Sequence, residues 1–155
     1  VAWCTRSAVL SNFVYAGQAR EYLSQVHTTP EFGALLNRIR DETTTQIRGF
    51  KPTILITGDA VWPSTWYLRD IPEYKFSTLP HERKNFTYII EDWSDTAGPP
   101  PDGFIRTRLN LRGWWVPDFR QMTLKRFLNY ALNKTPWSPT GYSYVALLVN
   151  TERKP

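Results

Sequence analysis

The stretch Thr53-Ile54-Leu55-Ile56-Thr57, continued by Gly58-Asp59 and then by Trp62-Pro63-Ser64-Thr65-Trp66-Tyr67-Leu68-Arg69-Asp70, decides the fold class. Its first five residues are apolar or β-branched and lie between Pro52 and Gly58, the pattern of a strand buried on both faces. Gly58-Asp59 turns the chain, Pro63 suits the first turn of a short helix, and Pro72 stops that helix. Upstream, Thr28-Thr29-Pro30-Glu31 opens another helix: Thr29 can accept from the first unpaired amides and Pro30 fits the first helical position. Phe32, Leu35, Leu36 and Ile39 follow as one apolar stripe of a helix running to about Ile47. Tyr22 to Val26 reads as the strand before it.

Further out, residues 74–78 and Thr87 to Glu91 read as short strands, and Thr96 to Gly103, with three consecutive prolines, as a loop. From Phe104 to Arg112 the chain alternates. Ile105, Thr107, Leu109 and Leu111 point one way; Arg106, Arg108, Asn110 and Arg112 point the other, as in a half-buried strand. Leu124, Phe127, Leu128, Ala131 and Leu132 restore the helical period until Asn133, and Tyr142 to Val149 is a closing strand. Leu10, Phe13 and Val14 also have helical spacing, within a terminal segment 1–16 that precedes a single domain, 17–155.

Strand, helix, strand, helix, strand in the first half implies parallel neighbours joined by right-handed crossovers. The expected architecture is an α/β three-layer sandwich with a mixed, mostly parallel sheet of five or six strands, Rossmann-like in its first half.

A chain of 155 residues suits one domain, and 41% hydrophobic with 15% aromatic residues is too apolar for a disordered tail. Nineteen Lys and Arg against 14 Asp and Glu give a net charge of +5. That field suits nucleic acid, phosphate-bearing ligands or an anionic membrane surface without choosing among them. Cys4 stands alone, which excludes an internal disulfide and a cysteine-rich zinc site. His27 and His81 give little material for a metal cluster. No apolar run reaches the roughly 18 residues of a membrane span. The start at Val1 fits an excised piece of a longer protein.

Ligands of open α/β sheets gather beyond the carboxyl ends of the parallel strands. Three segments are expected at that rim: His27-Thr28-Thr29, Gly58-Asp59 leading to Trp62, and Glu91-Asp92. The plainer alternative makes Thr29 a helix cap and the acids turn residues. On a helix, Trp62, Trp66 and Arg69 share one side, and Tyr67 and Asp70 another. Rings beside a guanidinium suit stacking on sugars or bases; alternatively the indoles pack in the core and Arg69 pairs with an acid. Arg106, Arg108 and Arg112 could bind phosphate bidentately, or form a solvated strand face. No phosphate loop, nucleophile elbow or cofactor motif accompanies them. No catalytic residue, metal or cofactor is assigned.

At Trp62 to Asp70 the sequence resembles the C-terminal soluble domain of the flippase-activity-associated membrane proteins, relatives of polyprenyl-phosphate-sugar-dependent glycosyltransferases of the GT-C architecture. Tyr22-Leu23-Ser24-Gln25-Val26-His27-Thr28-Thr29-Pro30 is similar to that family's strand-to-helix turn, with His27 where a Thr or Ser is expected. Leu111-Arg112-Gly113-Trp114-Trp115 and Trp137-Ser138-Pro139-Thr140-Gly141 look like its later aromatic segments. The resemblance implies an extracytoplasmic domain attached to an N-terminal transmembrane region preceding Val1. It further implies a domain that covers the site or holds the acceptor, with catalysis left to the membrane part. On that reading Asp59, Trp62, Trp66, Tyr67, Arg69, Asp70 and Asp92 form the binding set, the rings stacking on sugar, while Arg69, Arg106, Arg108 and Arg112 face the phosphate of a polyprenyl-phosphate lipid. Two other readings compete: a stand-alone basic nucleic-acid-binding module, and a small enzyme on a phosphorylated substrate using Asp59 or Asp92 as general base.

Overall fold

The computed structural model describes residues 2–20, 26–45, 51–71, 74–76 and 83–153. In chain order the elements are α1 (Ala2–Val9), prolonged by a π-helical turn Leu10–Val14, then β1 (His27–Thr28), α2 (Pro30–Thr45), β2 (Ile54–Ile56) and α3 (Val61–Tyr67). They continue with β3 (Tyr74–Phe76), β4 (Tyr88–Asp92), β5 (Phe104–Trp115), α4 (Leu124–Asn133) and β6 (Thr140–Asn150). Two compact units result: a larger one of residues 31–111 and 144–155, and a smaller one of 1–30 and 112–143.

In the larger unit the strand order is β5-β6-β4-β2-β3. β2 pairs in parallel with both β3 and β4, whereas β6 pairs antiparallel with β4, Tyr88 opposite Val149 and Asp92 opposite Val145. Side chains alternate across a strand. Ile54, Ile56, Tyr88, Ile90, Val145 and Leu147 therefore share one face, where Phe32, Leu36 and Ile39 of α2 and Leu68 after α3 complete the main core. Leu55, Ile89, Ala146 and Leu148 take the other face and pack with Phe86, Phe104 and Trp93. Both helices of this unit thus cover the same side of the sheet, and strand and loop residues close the other.

The expected mostly parallel, Rossmann-like three-layer sandwich is therefore overturned. Among the described residues the parallel pairs are those of β2 with β3 and with β4, while β4 with β6 and β1 with β5 run antiparallel. β1 runs antiparallel to β5, with His27 opposite Gly113 and Thr28 opposite Arg112, so β1, α2 and β2 do not form a parallel crossover. The physical cause lies in β6. Val145 to Leu148 are buried on both faces, so this closing strand belongs inside the sheet, and it enters antiparallel beside β4. The proposed strand residues Tyr22 to Gln25, the helix end at Ile47 and residues 77–78 lie outside the described residues.

The smaller unit is built on rings. Trp115 is buried, with the Trp137 ring 4.7 Å away edge-on and Tyr130 at 5.0 Å. Its indole N–H donates to Ser138 Oγ at 2.9 Å, and the Trp137 N–H donates to the Asp118 carbonyl at 3.1 Å. Ring area is thus buried without leaving an N–H unsatisfied. Gly141 is required here, because a Cβ there would come within 2.5 Å of the Trp114 ring.

One polar contact ties α2 to the sheet. Tyr88 Oη donates to Glu42 at 2.6 Å, and Glu42 also accepts from Arg38 at 2.9 Å. Burial, then the Glu42 carboxylate, pushes the Tyr88 phenol well above its ordinary range. A raised folded-state value favours the protonated phenol, so this stabilisation is complete below about pH 10 and fades as pH rises beyond it. Tyr88→Phe should cost about 1–2 kcal/mol at neutral pH. Denaturant unfolding should show the gap between wild type and variant narrowing above about pH 10; a gap independent of pH contradicts this account of the contact.

Candidate ligand-binding rim

Parallel pairing in register, Ile54 beside Tyr88 and Ile56 beside Ile90, brings the carboxyl ends of β2 and β4 together. The Thr57 amide donates to the Ile90 carbonyl at 2.9 Å, carrying the pairing one residue further. Beyond it the Asp59 amide donates to Asp92 Oδ1 at 2.9 Å. Gly58 makes this possible twice over. Its φ of +65° suits glycine, and a Cβ would lie 2.1 Å from Asp92 Oδ2. Asp59 and Asp92, both exposed, thus meet at one rim, as the sequence reading expects.

A 3-10 turn, Gly58–Ala60, feeds α3. Ala60, Ser64 and Leu68 are spaced four apart and fully buried, with Pro63 beside them, which fixes the inward side of the helix. Trp62 and Trp66 consequently face solvent, 78% and 70% exposed. The Arg69 guanidinium lies over the Trp66 ring at 4.4 Å and 3.7 Å from the Asp70 carboxylate. The alternative of core-packed indoles does not hold for these two. Tyr67 differs: it turns inward against the main core, and a Cβ on Gly33 of α2 would sit 3.1 Å from its hydroxyl.

His27 and Thr28 do not end a parallel strand, so their expected place at this rim is corrected; they pair with β5 in the smaller unit. Arg112 stands opposite Thr28 in the same pairing. Arg106 and Arg108 do converge, stacked over the Trp93 ring at 4.5 Å and 5.3 Å, with Arg108 also 3.7 Å over Tyr144. Arg106 reaches the Ser94 and Gly98 carbonyls only at 3.4 Å. Among the described residues neither guanidinium has a carboxylate partner. Sequence reasoning missed Trp93 and Tyr144, whose only signals are an aromatic residue just after β4 and one within β6.

Chemically, the rim offers two exposed indoles, one guanidinium and three exposed carboxylates, Asp59, Asp70 and Asp92. It can stack on a ligand and accept from its hydroxyls. A cleft of about 70 Å³ lined by Leu35, Arg38, Ile39, Tyr88, Leu147 and Val149 lies under α2 and is too small for a cofactor. Among the described residues no group of three His, Cys, Asp or Glu could hold a metal ion, and no helix is long and apolar enough to cross a membrane.

No protein-family model, curated protein or solved structure matches the chain. The resemblance to the flippase-activity-associated proteins therefore stands on its sequence segments alone.

Gly58→Ala should force the Asp92 carboxylate aside and break its bond from the Asp59 amide, costing about 2 kcal/mol or more. Denaturant unfolding measures the cost. Asp92→Asn keeps an acceptor and should cost clearly less; equal losses contradict this geometry.

Proposed function

We propose that the chain is a sugar-binding accessory domain carried on the extracytoplasmic side of the cell membrane by a multi-pass, glycosyltransferase-like protein. It holds an acceptor or lipid-linked sugar and leaves catalysis to the membrane part. The observation that carries this reading is the outward pair Trp62 and Trp66, with Arg69 stacked on the second ring. Sugars present an apolar C–H face that stacks on indole, and an edge of hydroxyls that carboxylates accept from. Asp59, Asp70 and Asp92 supply such acceptors on the same segments. For a polyprenyl-phosphate carrier, Arg106 and Arg108 supply guanidiniums that no carboxylate neutralises among the described residues. Residues 1–16 join the domain to its transmembrane region in this reading.

The charge distribution speaks against a nucleic-acid role for the rim. Of the 19 basic and 14 acidic residues, the smaller unit holds seven and two, which leaves twelve and twelve in the unit that carries Trp62 and Trp66. A neutral unit lacks the excess of cations that phosphate-backbone binding needs.

Titration with simple glycosides and with a polyprenyl-phosphate-sugar analogue, followed by amide chemical shifts, tests the proposal. Shifts should cluster at 58–70 and 92, and Trp66→Ala should weaken binding about tenfold. Wild type and variant responding alike would overturn it.

A further inference from the structure

We propose that the smaller unit docks on an anionic lipid surface through helix α4. The inference stands independently of the sugar-binding reading. A surface helix normally hides its apolar stripe against the core. In α4 no residue is buried, and the stripe Leu124, Phe127, Leu128 and Leu132 is between 45% and 75% exposed. Phe119 and Met122, just before the helix in sequence, are exposed as well.

The surrounding charge says what covers it. Lys125 and Arg126 lie on the helix and Arg120 precedes it, while no Asp or Glu occurs between Asp118 and Glu152. Seven basic residues against two acidic ones give the smaller unit +5, the whole net charge of the chain. A second copy would bring +5 against +5. Nucleic acid would use the cations and leave the aliphatic stripe uncovered. An anionic bilayer satisfies both, taking the stripe at the acyl boundary and the cations at the headgroups.

The helix is also held ready. An isolated helix of ten residues is marginal in water. Here Tyr130 anchors it to Trp115 and Trp137, at 5.0 Å and 5.3 Å. Thr123 caps its start, accepting from the Arg126 amide at 3.3 Å. At its end the Lys134 amide donates to the Tyr130 carbonyl at 2.8 Å, and the Arg6 guanidinium of α1 donates to the Leu132 carbonyl. The stripe therefore meets the membrane without a folding step. A single short helix plus a few cations gives reversible, salt-sensitive attachment.

The test is co-sedimentation of the full chain with vesicles of phosphatidylcholine alone, and with about one lipid in three replaced by phosphatidylglycerol. The chain should sediment with the second kind only, and roughly 0.5 M salt should release it. Phe127→Glu with Leu128→Glu, and separately Lys125→Glu with Arg126→Glu, should each weaken the attachment tenfold or more. These positions are exposed, and unchanged thermal unfolding verifies that the variants fold. Equal binding to both vesicle types, no binding to either, indifference to both variant pairs, or self-association in sedimentation velocity in place of vesicle binding would overturn the proposal. Glycoside titration of the Phe127→Glu, Leu128→Glu variant reads the sugar proposal separately and should be unchanged.

Discussion

The rotation of α3 about its own axis is the constraint on which the rim depends. Ala60, Ser64 and Leu68 are fully buried, and Leu68 joins Ile56, Ile90 and Val145 in the main core. Burying a leucine is worth about 1.5–3 kcal/mol, so a seven-residue helix has little freedom to roll once Leu68 is seated. With 3.6 residues per turn, seating those positions inward leaves Trp62 and Trp66 in water. The exposed indoles are a consequence of core packing a few residues away.

The same sheet sets what lies beside them. Parallel register between β2 and β4 brings Gly58 and Asp92 together, and the missing side chain at Gly58 lets the Asp92 carboxylate reach the Asp59 amide. The two units then differ in character. The larger packs aliphatic side chains on both faces of its sheet, with its helices over one of them, and carries no net charge. The smaller buries aromatic rings with their N–H groups paired, leaves the aliphatic stripe of α4 uncovered and carries the positive charge.

Local patterns were legible in the sequence. The stripe Phe32, Leu36, Ile39 marked α2, Thr53 to Thr57 marked β2, and the alternation after Phe104 marked β5. Strand direction was not legible, because alternation tells which face a residue takes and is silent about which strand lies alongside. Val145 to Leu148 read as a buried strand in either orientation, and the antiparallel choice removed the Rossmann-like arrangement and His27 from the expected rim. The spacing of Trp62 and Trp66 showed that they share a side. That this side is the outer one depends on Ala60 and Ser64, residues too small or too polar to announce a core. Trp93 and Tyr144 met Arg108 only through pairing across strands. In α4 the period gave the helix, while its uncovered stripe required the tertiary structure.

Solvent contact of individual indoles tests the central claim most directly. Incorporation of 5-fluorotryptophan gives seven fluorine resonances, one for each Trp, which single Trp→Phe variants assign. Comparison of light and heavy water reports which rings touch solvent. The account predicts a full solvent isotope shift for Trp62 and Trp66 and essentially none for Trp115. Resonances of Trp62 and Trp66 as insensitive to solvent as that of Trp115 would contradict it.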